Sequence, residues 1–358
     1  MKKIVLIFLI ILICSILEAS DYVMMCTYFY NPEARIFRLN NEGEMFFDHN
    51  LEVGGNPESL CFSPNGKWGL IGSHTTSHPS TQKTIVLKVS KDKEISVMGV
   101  LHNEHEILIA ISPDSRYGVH GADLKSFRVD NGTTFTVIPT ENPIQAGFDA
   151  DFSSLNGCLY VENGYQTVVE HKIAEDETIK PTGNTLDISP SSGYRDLEVS
   201  PDGKTCIALS GLDYQITAVR LRKDGGMSLV EMFNTNSNNA REVVFTPDSQ
   251  YAIVSFSESG DLPDIRIYRI NSDSSLDETD GVKLPNVPGE DLAITPDGKY
   301  IVTRALINNL SLFYVVKVNE DGTLTYLPDN DYQCQDHVSA MAFVPPQPTA
   351  AGNIWTLY

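Results

Sequence analysis

The chain has 358 residues, 41% of them hydrophobic and 20% charged, with 26 Lys and Arg against 47 Asp and Glu for a net charge of -21. This apolar content suffices for a sizeable core and argues against disorder. The acidic excess repels phosphate backbones and anionic membrane surfaces, so nucleic acid is not an expected partner.

The chain opens MKKIVLIFLIILICSILEAS, with two lysines, an apolar run of 14 residues from Ile4 to Leu17, and Ala19. This is the layout of a secretory signal peptide over residues 1–19, cut after Ala19. The run is short for a membrane span. Residues 20–358 are therefore expected to form one secreted or periplasmic domain with no span of its own. Beyond Cys14 of the leader stand Cys26, Cys61, Cys158, Cys206 and Cys334. An odd, scattered set is neither a disulfide framework nor a zinc site.

Residues 22–52 hold three strand-like runs, YVMMCTYF, ARIFRL and EMFFDHNL. A phrase then begins to repeat: NPESLCFSPNGKWGLIG from residue 56, EILIAISPDSRYGVHG from 106, YRDLEVSPDGKTCIALS from 194, AREVVFTPDSQYAIVSF from 240 and GEDLAITPDGKYIVT from 289. FDADFSSLNGCLYVEN from Phe148 is a divergent copy, and SAMAFVPP near the end is a worn one. Each is two β-rich runs joined by a turn in which Pro fixes φ and the next residues tolerate positive φ, which predicts a hairpin. Two more strand-like runs follow each hairpin, such as TIVLKV with EISVMGVL and QITAVRL with MSLVEMF.

The turn prolines at 64, 113, 201, 247, 296 and 345 are separated by 49, 88, 46, 49 and 49 residues, and the step of 88 is two periods. Seven four-stranded antiparallel units of this length, without amphipathic helices, predict an all-β, seven-bladed β-propeller. The last unit has room for only an inner strand, near Ser339 to Val344, while residues 22–52 lack one. The N-terminal outer strands are therefore expected to pair with the C-terminal inner strand and close the ring. NIWTLY, residues 353–358, has no firm place beyond packing on that seam.

The first residues of the inner strands should line one mouth of the central channel. Counting back from the Ser or Thr of each turn, the fifth position reads Glu58, Ile107, Asp149, Arg195, Arg241, Glu290 and Ser339, and the fourth reads Ser59, Leu108, Ala150, Asp196, Glu242, Asp291 and Ala340. Three consecutive units thus place Arg195, Asp196, Arg241, Glu242, Glu290 and Asp291 in one sector. Such a group suits either a cation, with Asp196, Glu242 and Asp291 as oxygen ligands for Ca2+, or a polar ligand held by carboxylates and arginines. The alternative is a set of salt bridges between units. The eight histidines, at 49, 74, 78, 102, 105, 120, 171 and 337, show no metalloenzyme spacing; HNEHE at 102–106 is merely crowded. SESGDLPD at 257–264 lacks the spacing of a calcium loop and is expected to be solvated.

The hairpins FSPNGKW, VSPDGKT and ITPDGKY, with SLFYVVKVNEDGTLTYL, resemble those of the YVTN-repeat and 6-phosphogluconolactonase-like propellers over essentially the whole mature chain. The resemblance implies a mouth carrying histidines, an arginine and a glutamate that act on a phosphosugar lactone. Here Ala240-Arg241-Glu242 keeps the arginine, Asp196 stands where His is usual, and Asp291 stands where Glu is usual. The expected function is a non-catalytic, monomeric binding platform for a protein, glycan or cation. The alternative is a lactone hydrolase with Glu242 or Asp291 as base and Arg241 on the oxyanion.

Overall fold

The computed structural model describes residues 21–28, 31–73, 83–102, 109–121, 125–130, 132, 134–138, 149–162, 167–188, 194–210, 214–235, 239–257, 260–286, 291–307, 310–334 and 337–348. The expected leader at 1–19, HNEHE beyond its first residue, Glu290 and NIWTLY lie outside these residues.

Seven antiparallel sheets are present, one per repeat. Blade 1 holds β4 (Pro57–Phe62), β5 (Trp68–Ser73), β6 (Lys83–Val89) and β7 (Ile95–His102). Blade 2 holds β8 (Ile109–Ile111) to β11 (Thr134–Ile138), and blade 3 holds β12 (Ala150–Phe152) to β15 (Ile179–Asp187). Blade 4 runs from β16 (Tyr194–Val199) to β19 (Met227–Asn234), with β17 (Thr205–Ser210) and β18 (Gln215–Leu221) between. Blade 5 runs from β20 (Asn239–Phe245) to β23 (Leu276–Val282), with β21 (Tyr251–Ser257) and β22 (Ile265–Ile270) between. Blade 6 contains β24 (Leu292–Ile294), β25 (Tyr300–Ile307), β26 (Leu310–Val318) and β27 (Leu324–Tyr326).

Blade 7 closes the ring as the sequence predicts, in the order β29 (Val338–Phe343), β1 (Tyr22–Tyr28), β2 (Glu33–Leu39) and β3 (Met45–Glu52). Met24 faces Phe343 and Cys26 faces Met341 across the β1–β29 ladder. One feature departs from four strands per repeat: a short β28 (Tyr332–Cys334) also pairs with β26. Pro328 follows β27 and has no N–H to continue the ladder, so the chain makes a single 3-10 turn at Pro328–Asn330 and returns to pair with the vacant half of the nine-residue β26.

The core is a set of layers between blades rather than one central mass. Trp68, Leu70 and Val86 of blade 1 pack on Ile111, Phe127 and Val129 of blade 2. Val23, Met25 and Ile36 of blade 7 pack on Ile71, Ile85 and Leu87 of blade 1. Every other junction has its own cluster. This explains why second strands such as β5 and β17 are buried at every position while the outer β3 is mostly exposed: a second strand has a blade against each face.

The repeated turn supplies the local order. In Ser200-Pro-Asp202-Gly-Lys204-Thr205 the Ser200 hydroxyl donates to Asp202 Oδ1 at 2.8 Å and accepts the Thr205 N–H at 3.0 Å, while Asp202 Oδ1 accepts the Lys204 N–H at 3.1 Å. The same pattern recurs at Ser63, Ser112, Thr246 and Thr295. Gly203 takes φ +74° there, and Ser249 takes φ +59° at the matching place in blade 5. Ser249 Oγ accepts the Asp202 N–H of blade 4 at 2.9 Å, so the turns also fasten blade to blade.

Candidate ligand site at the channel mouth

An innermost strand has a neighbour on one edge only, so alternate N–H groups face the channel unpaired. The acidic residues singled out in the sequence answer that need. Asp196 Oδ2 accepts the Val243 N–H of blade 5 at 2.6 Å, and Glu242 Oε2 accepts the Leu292 N–H of blade 6 at 2.7 Å. Asp149 and Asp151 of blade 3 accept the Leu197 and Val199 N–H groups of blade 4, each at 2.9 Å. Three successive junctions are therefore fastened by a carboxylate of one blade on the backbone of the next.

Asp291 breaks the series. It pairs with Arg304 on β25 of its own blade, while its carbonyl accepts the Thr303 hydroxyl at 2.9 Å. Arg241 Nε donates to Ser257 Oγ at 2.6 Å. Arg195 lies on β16, its side chain outside the described residues.

Asp151, Glu198 and Arg304 join the site only in the structure, and so does Asp149, which stands at the mouth in sequence without belonging to the sector of three. The signal was there: DAD at 149–151 and D-L-E at 196–198 put acids two apart, on one face of a strand. Asp149 and Asp196 come within hydrogen-bonding reach of each other, as do Asp151 and Glu198. Desolvation raises the whole group. It pushes Asp151 up to about 7 against the opposing pull of the Val199 and Phe152 N–H groups. It lifts Asp196 and Glu242 well above the carboxylate range, with Asp149 adding to Asp196 and Asp291 adding to Glu242. Glu198 is lifted by desolvation and then by Asp151. Asp196 is buried and the others are half-buried, and like charges crowded this closely away from water cannot all ionise, so at neutral pH the cluster retains protons.

Among the described residues, no group of three or more His, Cys, Asp or Glu side chains is placed to hold a metal ion. His171 is buried with Nδ1 3.2 Å from Val169 O, and burial lowers its pKa. The five cysteines among the described residues form no disulfide, and burial pushes the Cys158 thiol up to about 11 and those of Cys26, Cys61 and Cys206 further. Of the loop at 257–264, Gly260, Asp261 and Leu262 are exposed as a solvated loop requires, and Asp264 at its end departs from that expectation. It is fully buried and accepts Lys283 Nζ and the Leu284 N–H, each at 2.7 Å, because its carboxylate ties the start of β22 to the segment leaving β23.

No described helix is long and apolar enough to cross a membrane. A family model described as "Domain of unknown function (DUF5122) beta-propeller" matches residues 251–279, within blade 5. No curated protein matches the chain. Among solved structures, the chain is similar to a protein from Bacteroides uniformis assigned provisionally as a 6-phosphogluconolactonase, at 19% identity and TM-score 0.74, covering 91% of this chain and 100% of that one. It is also similar to the periplasmic gluconolactonase of Pseudomonas aeruginosa, at 15% identity and TM-score 0.72, covering 92% and 100%. A Lactobacillus plantarum protein matches at 12% identity and TM-score 0.74, covering 90% and 99%. At these identities the likeness shows the fold: the chain is a seven-bladed β-propeller with the architecture of the solved lactonase-type propellers.

Proposed function

We propose that the protein is an exported binding platform that takes a protein, glycan or cation at its channel mouth without turning it over. The observation that supports this reading is the commitment of the mouth carboxylates: Asp196 and Glu242 hold the backbone of the next blade, and Asp291 holds Arg304. A general base must exchange its proton with substrate in each cycle. A carboxylate whose release leaves the backbone N–H of the next blade without its acceptor is poorly suited to that duty. Calcium at Asp196, Glu242 and Asp291 belongs to the same proposal, with the ion sharing the first two carboxylates with the backbone donors that each holds through one oxygen. A thermal melt that rises with calcium and falls with chelator supports that ion, and an unmoved melt removes it, because a ligand of the native state must stabilise it. Export is supported by the leader-like residues 1–19, and N-terminal sequencing of the mature protein is expected to begin at Ser20.

The second reading, a lactone hydrolase, is favoured by the shared fold of the periplasmic gluconolactonase and by Arg241 beside Glu242 in the sequence. The deciding experiment is incubation of the purified protein with simple and phosphorylated aldonolactones. The platform reading expects no opening beyond the spontaneous rate. Turnover that disappears in a folded Glu242→Gln variant would replace it with the hydrolase.

A further inference from the structure

We propose that an apolar groove between the outer strands of blades 7 and 1 is covered by the end of this same chain, residues 349–358. Phe46 on β3 is 50% exposed, and Val97 and Val100 on β7 are 39% and 48% exposed. Val97 is paired with Leu87 and Val100 with Ile85, both of which pack against blade 7, so all four share that face. Phe46 is paired with Arg38, whose Nη2 donates to Glu94 Oε1 of blade 1 at 3.2 Å, so Phe46 faces the same seam from the other side. Single exposed apolar residues are ordinary, but these three face one seam from its two sides, where a covering segment would take them out of water. Both strands are the last of their sheets, with open edges.

The path of the chain selects the occupant. The Val344 N–H donates to Val23 O at 2.8 Å, and Pro345 O lies against Gly66. Gln347 Nε2 donates to Gly66 O, Val89 O and Ser90 O at 2.9, 3.0 and 2.8 Å. Val89 belongs to the apolar layer between blades 7 and 1, and Ser90 opens the turn into β7. The chain is thus delivered to the foot of the groove. The remaining TAAGNIWTLY carries no charged side chain and offers Ile354, Trp355, Leu357 and Tyr358 after a five-residue spacer. Six extended residues reach about 20 Å, within the length of β7.

The chain has two tryptophans, Trp68, which is fully buried, and Trp355, so acrylamide quenching of the full-length protein reports on the tail. The expected result is slow quenching of both. The triple variant Phe46→Ser, Val97→Ser, Val100→Ser should then show a red-shifted component quenched several-fold faster, absent when Trp355→Phe is added. Val100→Ser alone serves if the triple change disturbs the far-UV spectrum. A Trp355 freely quenched in the unaltered protein overturns the proposal. So does protection indifferent to the groove substitutions, and so does protection lost on dilution, which would assign the groove to a second copy.

Discussion

At the residue scale, acidic side chains in this molecule serve as backbone acceptors between blades. The inner series of Asp149, Asp151, Asp196 and Glu242 has an outer counterpart, in which Glu170 accepts the Gly226 N–H at 2.7 Å and Asp280 accepts the Leu324 N–H at 2.8 Å. Asp196→Ala leaves the Val243 N–H without its acceptor in a buried site, and an expected loss of about 1–3 kcal/mol should appear as a lower urea midpoint. Asp196→Asn, which keeps an oxygen at that place, should cost less. Asp151 ties stability to pH. Its carboxyl holds a proton up to about 7 in the folded protein, whereas the unfolded one releases it near the ordinary value. The folded state therefore binds more protons through this interval, and stability falls as pH rises from about 4 to about 7. Asp196, Glu198 and Glu242, raised by the same desolvation, add to that slope, so Asp151→Asn should make it shallower without abolishing it in denaturation curves taken across the range.

At the scale of the element, the turn is where sequence and structure agree most closely. Its prolines, hydroxyls and Asp or Asn residues each have a local task, so the same letters recur wherever the hairpin does. What the letters do not show is the neighbour across the junction. Gly66 and Gly132 both take positive φ, at +62° and +70°. A Cβ on Gly66 would stand 2.2 Å from Pro345 O, whereas one on Gly132 would meet nothing within 4 Å. Gly132→Ala should cost about 1 kcal/mol for the backbone conformation alone. Gly66→Ala must also displace the C-terminal segment from blade 1, so its melting temperature should drop clearly further in a parallel scan.

At the scale of the whole molecule, closure depends on one strand from the far end of the chain. β29 supplies the inner edge of blade 7 and also Val338, Met341 and Phe343 to the layer against blade 6. A chain ending before Val338 leaves β1 as an open edge and that layer exposed. It should give aggregated or molten material by gel filtration and near-UV dichroism, where the intact chain is compact.

The seven-fold repeat, the strand count of most blades and the closure of the ring were all legible in the chain, because spacing and turn chemistry are local properties that survive in linear order. The fifth strand of blade 6 was not, since it depends on a vacancy along β26 that exists only once β27 has stopped short. Sequence also brought Asp196, Glu242 and Asp291 to one sector. The roles of these residues were a tertiary matter: whether a carboxylate waits for a ligand or holds the next blade depends on which backbone N–H groups the ring leaves unpaired and how far water is excluded around them. No linear pattern records that environment, because it is made by strands from blades some 50 residues apart meeting at a common axis.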